Sequence, residues 1–195
     1  MNVKDLFGFY ANPHELDGYE QYLHENPAYA RLMGSNHPSR SPMHEKAIAK
    51  DAGESYAYAF DKIHGAFHLG EKAIATSPHY SFEYARLVLN GPFERGEHVI
   101  AEYPDFSYKY AVYVLKGKFH HGERAIAKDA EYSYLYAKNV LHGPFERGEW
   151  AISESPKYSY LYAKDIIKGR FHKGEHAISQ NPSYKNEYKE FLSRL

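Results

Sequence analysis

The heptapeptide GPFERGE occupies residues 91–97 and returns letter for letter at residues 143–149. Near-copies stand around it: GAFHLGE from Gly65, GKFHHGE from Gly117 and GRFHKGE from Gly169. The five starts are 26 residues apart, with no insertion. One unit earlier, SRSPMHE from Ser39 keeps only the terminal Glu, and a weaker unit begins near His14. Self-similarity at a fixed period of roughly 20 to 50 residues marks a helical or β array rather than an ordinary domain. The chain is therefore expected to carry seven units of 26 residues over residues 14–195, starting near 14, 39, 65, 91, 117, 143 and 169, with an N-terminal capping segment over residues 1–13. Positions within a unit are counted below from 1 at the start of the heptapeptide.

One unit, GKFHHGERAIAKDAEYSYLYAKNVLH (residues 117–142), shows what it folds into. Phe119, Gly122/Glu123 and Ile126 follow helical spacing. Position 13 then carries a capping residue in Asn26, Asp51, Ser77, Asp129, Ser155 and Asn181, and the next residue is proline at 27, 78, 104, 156 and 182. A side-chain oxygen that accepts free N–H groups, followed by Pro in the first turn, is a helix start. In the second helix Tyr134, Ala137 and Val140/Leu141 share a face, and the next unit's glycine is expected to cap its end. The expected fold class is all-α, a solenoid of stacked short helix-turn-helix units. A lone pair of such helices cannot bury its apolar face, so stability becomes a nearest-neighbour property.

Tyrosine is abundant, 20 residues against one Trp, and it recurs at positions 16, 18 and 20. Position 18 is expected in the core. Positions 16 and 20 are expected to form a second stripe of inter-unit packing, with each hydroxyl finding a polar partner; a tyrosine binding surface is the alternative. The heptapeptide also alternates. Position 4 runs His68, Glu94, His120, Glu146, His172, so the true repeat in this half is two units. In a stack with units about 10 Å apart, His and Glu are expected to face each other along a ladder.

Composition excludes several classes. Lys plus Arg is 24 and Asp plus Glu is 25, giving a net charge of -1, which argues against nucleic acid or anionic membrane as the partner. There is no cysteine, so neither disulfide nor thiolate zinc site is possible. The opening MNVKDLFGFYANPHE lacks the apolar core of a signal peptide, and no apolar run is long enough to cross a bilayer. The expected location is the cytoplasm.

Only one stretch has an enzyme-like pattern. HKGEH, residues 172–176, matches the H-x-x-E-H arrangement of inverted zinc proteases. Its Glu175, however, is the position-7 Glu of every unit from Glu45 onward, and His172 belongs to the alternation, so no catalytic residue, metal or cofactor is expected. The position-7 glutamates are expected to serve the fold, through a tyrosine hydroxyl or a helix dipole. Serines recur between tyrosines, but none has a fixed base beside it. Positions 5 and 8, which vary while staying mostly basic, are more informative. Arg95, His98, His121, Arg124, Arg147, Trp150, Lys173 and His176 are expected to share one face of the first helices and to bind a partner.

Stretches such as YLYAKDIIKGRFHKGEHAI (residues 160–178) resemble the tandem short helical-repeat arrays encoded by tailed phages, whose functions are mostly unassigned. The resemblance covers nearly the whole chain beyond the first dozen residues. It departs at the letters after the glycine, where Phe with His or Glu stands in place of Trp-Pro and Glu. It implies a phage or phage-like origin, the host cytoplasm as location, and no chemistry. The expected function is a non-enzymatic scaffold that binds a host protein, its contact surface acidic. The alternative is a binder of an anionic ligand or nucleic acid through the basic, aromatic stripe. Oligomeric state is left open by the sequence.

Overall fold

The computed structural model describes residues 13–36 and 39–195. The capping segment expected over residues 1–13 lies, apart from Pro13, outside the described residues. Every regular element among the described residues is helical. The chain divides into two compact bodies between residues 89 and 90. The first holds α1 (Pro13–Glu25), α2 (Pro27–Asn36), α3 (Pro42–Ile48), α4 (Ala52–Tyr58), α5 (Glu71–Ile74) and α6 (Pro78–Glu83). The second holds α7 (Glu94–Ile100), α8 (Pro104–Tyr110), α9 (Glu123–Ile126), α10 (Ala130–Tyr136), α11 (Glu149–Glu154), α12 (Pro156–Tyr162), α13 (Glu175–Gln180) and α14 (Pro182–Leu192). Within the second body, helices of like position pack on one another: α8 on α10, α10 on α12, α12 on α14, and α11 on α13.

Helix starts follow the sequence rule. Asp51, Ser77, Asp129, Ser155 and Asn181 each accept a backbone N–H from the first turn of the helix they open. Each such cap contributes about 1 kcal/mol. Helix ends differ from expectation. The second helix of a unit runs on as a wide π turn, at Ala59–Ile63, Tyr84–Leu89, Ala111–Leu115, Ala137–Leu141 and Ala163–Ile167. The left-handed residue that follows is not the glycine but the one before it: His64, Asn90, Lys116, His142 and Lys168, with φ of 50–54°. In four units the first carbonyl of the π turn accepts both that residue's N–H and the glycine's, as Ala137 does from His142 and Gly143. A left-handed residue with a side chain costs roughly 1–2 kcal/mol. His64 and His142 offset part of it by aiming Nδ1 at the carbonyls of Phe60 and Lys138.

The core corrects the reading of the tyrosines. Position 20 is not part of an outer stripe: Tyr58, Tyr84, Tyr110, Tyr136 and Tyr162 are all 0% exposed, beside the equally buried Ile48, Ile74, Ile100, Ile126 and Ile152 of position 10. Position 18, expected in the core, is buried in Phe82, Tyr134 and Tyr160 but only half-buried in Tyr56 and Tyr108. Position 16 is half-buried, and its ring leans on the position-18 ring of the preceding unit, at 5.9 Å for Tyr108–Tyr132 and Tyr134–Tyr158 and 6.0 Å for Tyr160–Tyr184. Helical geometry explains the exchange. The first helix packs close to the second, and its contact line selects position 20 together with the buried Ser55, Ser81, Ser107, Ser133 and Ser159 at position 17.

Those serines explain the second glycine of the heptapeptide. Each Ser Oγ donates to the position-10 Ile carbonyl of its own unit at 2.8–3.0 Å. On Ser55, Ser107, Ser133 and Ser159 the glycine of the next unit lies directly. A Cβ at Gly148 would stand 2.5 Å from Ser133 Oγ and 2.5 Å from Phe145 Cδ1; Gly70, Gly122 and Gly174 are equally tight. The first glycine is open, with nothing closer than 3.9 Å to a Cβ at Gly143. The two glycines of one heptapeptide should therefore respond oppositely. Gly148→Ala is expected to destabilise by about 1–3 kcal/mol, the usual cost of overpacking. Gly143→Ala should be neutral or stabilise by up to about 1 kcal/mol through the unfolded chain. Thermal unfolding of the two variants checks this; equal melting temperatures would refute it.

Candidate functional site

The first helix turns one face inward and leaves the other outside, and the inward face is fully occupied. Its centre is the position-20 hydroxyl. The backbone N–H of the position-3 Phe donates to it at 2.8–3.0 Å, in Phe67→Tyr84, Phe93→Tyr110, Phe119→Tyr136, Phe145→Tyr162 and Phe171→Tyr188. The same hydroxyl donates to the position-7 carboxylate at 3.0–3.3 Å, from Tyr58→Glu45 to Tyr188→Glu175. A tyrosine hydroxyl was one of the two partners foreseen for these glutamates and is found; Glu71, Glu97, Glu123, Glu149 and Glu175 also stand in the first turn of their own helices. Burial is the main force on the phenols: it pushes Tyr58, Tyr84 and Tyr136 up to about 12, the adjacent Glu carboxylate adding to the shift. Tyr110 and Tyr162 are raised further by the same cause.

The carboxylate carries the link onward. His121 Nδ1 of one unit lies 3.3 Å from Glu97 of the unit before, Lys173 Nζ lies 2.6 Å from Glu149, and Arg147 lies 3.8 Å from Glu123. Position 5 thus reaches back to the previous unit's position 7. Position 4 does not form the expected ladder of facing His and Glu. His68, His120 and His172 instead turn onto the Glu of their own unit, Glu71, Glu123 and Glu175, at 2.8, 3.2 and 3.7 Å. Three residues along a helix is a shorter reach than the next unit.

All eight residues of the expected stripe are exposed, and all lie in the second body. They fall into two sets. Of the position-5 members, His121, Arg147 and Lys173 are tied to a neighbouring carboxylate. The position-8 members His98, Arg124, Trp150 and His176 make no ion pair with any described residue, and Trp150 is 72% exposed. An open cleft of about 750 Å³ lies on this side, lined by Pro92, Glu94, Glu97, His98, Leu115 and His121. The sequence reading passed over charged residues in other rows. Lys118 and Arg170 at position 2, and Glu102, Lys128 and Glu154 at position 12, are all exposed. Position 12 follows position 8 by one helical turn, so that spacing was the signal available.

His172 and His176 of HKGEH are both exposed, and no cluster of three His, Cys, Asp or Glu suited to a metal occurs among the described residues. No helix among the described residues is long and apolar enough to cross a membrane. No family model, no curated protein and no solved structure matches this chain.

The buried phenols give the fold a limit at high pH. Free tyrosine ionises near 10, and Tyr58, Tyr84 and Tyr136 near 12 in the folded chain. The unfolded chain therefore releases these protons first, and their contribution, complete below pH 10, is lost as the pH rises from 10 through about 12. Cooperative loss of helicity in that window, together with a rise in phenolate absorbance, is the expected result of an alkaline titration. Phenolate appearing for all tyrosines near 10 with helicity intact would contradict the burial of position 20.

Proposed function

We propose that this chain is a non-enzymatic binding scaffold: a solenoid of seven 26-residue helix pairs, phage-like in origin, that grips a host protein in the host cytoplasm. The reading rests above all on Trp150. A tryptophan left 72% exposed contributes nothing to the core and lowers solubility. It stands in the row of His98, Arg124 and His176, and Trp with Arg is the pair of residue types that dominates binding energetics. Position 8 is also the row that the inter-unit links leave unused. Basic neighbours favour an acidic contact surface on the partner. Repetition of the same contacts between like-placed helices supports the solenoid, which offers an extended face for this purpose.

Two experiments test the reading. Deletion of residues 117–142 removes one whole period and should leave a cooperatively folding, helical protein; deletion of residues 117–136 breaks the period and should not. Equal behaviour of the two deletions would count against the array. For binding, the wild type and Trp150→Ala are used side by side to capture proteins from a bacterial lysate. The variant should hold its partner about 2 kcal/mol more weakly, roughly 30-fold. Its stability should shift by less than about 0.5 kcal/mol. A sharp fall in melting temperature with capture intact would make Trp150 a packing residue, and retained nucleic acid that is lost steeply with salt would replace the protein partner.

A further inference from the structure

The two-unit period has a consequence on the exposed face of the second body. In the unit from Gly91, the exposed carboxylates Glu94 and Glu102 outnumber Arg95. The next unit, from Gly117, presents Lys118, Arg124 and Lys128 with two histidines, and its Glu123 is drawn inward to Tyr136. The unit from Gly143 is acidic again, Glu146 and Glu154 against Arg147. The unit from Gly169 is more weakly basic: Arg170 and Lys173 stand beside two histidines, but Arg170 pairs with its own Glu175 and Lys173 with Glu149. The face therefore reads acidic, basic, acidic, basic. Most of these charges are not spent within the chain: Glu94, Glu102, Lys118, Arg124, Lys128 and Glu154 form no ion pair with any described residue.

A row of alternating sign with an even number of members has a simple symmetry property. Set against a parallel copy, like meets like. Reversed, it meets its own complement at every place. We propose that this face pairs with the same face of a second copy of the chain, antiparallel, about a two-fold axis between the units from Gly117 and Gly143. The unit from Gly91 then faces the unit from Gly169 of the other copy, and the unit from Gly117 faces the unit from Gly143. A two-fold interface is the commonest closed arrangement, and each contact occurs in it twice. Trp150 of one copy comes opposite Arg124 of the other, a guanidinium against the indole that offers the best aromatic face for a cation. The rim of the cleft, with Glu94 and the apolar Leu115, then faces the unit from Gly169 of the other copy. The pairing deepens the proposed function, since it rests on the same face being an interaction surface; the second copy is its first occupant.

The test uses the protein alone, so it is independent of any host partner. Sedimentation equilibrium of the full chain at low salt should show a dimer of the 22.5 kDa protomer, shifting toward monomer as salt rises and the screening length falls to about 3 Å near 1 M. Arg124→Glu with Lys128→Glu should weaken the dimer by about tenfold or more, because like charges then meet. Adding Glu146→Lys and Glu154→Lys to that variant should restore it, which a variant that had merely misfolded could not do. The chain has no native cysteine, so direction can be read by crosslinking. His98→Cys and His176→Cys proteins should form a disulfide when mixed, and neither should form one alone. A monomer at every salt and concentration, a dimer indifferent to the charge reversals, or crosslinking of His98→Cys to itself would each overturn the proposal. A monomer that still captures a host protein through Trp150 would overturn the pairing and leave the binding-scaffold reading standing.

Discussion

Everything in the repeat hangs on one buried hydroxyl. The position-20 tyrosine accepts the N–H of Phe at position 3 and donates to Glu at position 7, so two letters of the heptapeptide close on one oxygen from seventeen and thirteen residues away, as in Phe119, Glu123 and Tyr136. Its ring then meets the Phe of the following unit, at 4.9 Å for Tyr110–Phe119 and 5.1–5.2 Å in three further pairs. Phenylalanine at position 20 would fill the same space and leave a backbone N–H unpaired in the core, a cost of about 1–3 kcal/mol. The abundance of tyrosine is thus a hydrogen-bonding requirement repeated once per unit.

That node also sets how units communicate. Within a unit it joins the first helix to the second. Between units it works through the ring contact, through the Ser133–Gly148 type of close approach, and through the position-5 cation that reaches back to the carboxylate. The last of these is the weakest, because exposed ion pairs contribute about 0–1 kcal/mol. Lys173 and Arg147 are mostly solvent-facing, so their columns are free to vary in type while the glycine and serine are held by sterics. This is why position 5 reads as variable and basic in the sequence although it has a structural neighbour.

The all-helical character, the helix starts and the glutamate–tyrosine link were legible because each has a short-range cause: apolar spacing, a capping oxygen, an unmet carboxylate. Where the second helix ends was not. The rule that glycine takes the left-handed conformation pointed to Gly143, whereas His142 takes it, because the π turn before it and a local side-chain bond to the Lys138 carbonyl offset the strain. No residue type in that turn announces a π geometry. Which tyrosine is deepest was equally hidden. Positions 16, 18 and 20 are chemically identical letters, and only the crossing of the two helices chooses among them. The His–Glu ladder failed for a metric reason: His120 finds Glu123 one turn away before it can reach another unit.

Net charge conceals what the face does. A sum of -1 over the chain suggests an electrostatically bland molecule, yet the carboxylates and ammonium groups are sorted by unit. At physiological ionic strength the screening length is about 8 Å, similar to the roughly 10 Å between packed helices. A bound surface therefore feels each unit nearly separately, and the average over the protein is not what it meets. A polyanion carries one sign along its length. It would be attracted at Arg124 and Lys128 and repelled at Glu94, Glu102, Glu146 and Glu154, so the ordering argues against nucleic acid more strongly than neutrality does. A partner whose own charges alternate with the same two-unit step meets no such opposition, and a reversed copy of this chain carries that step by construction.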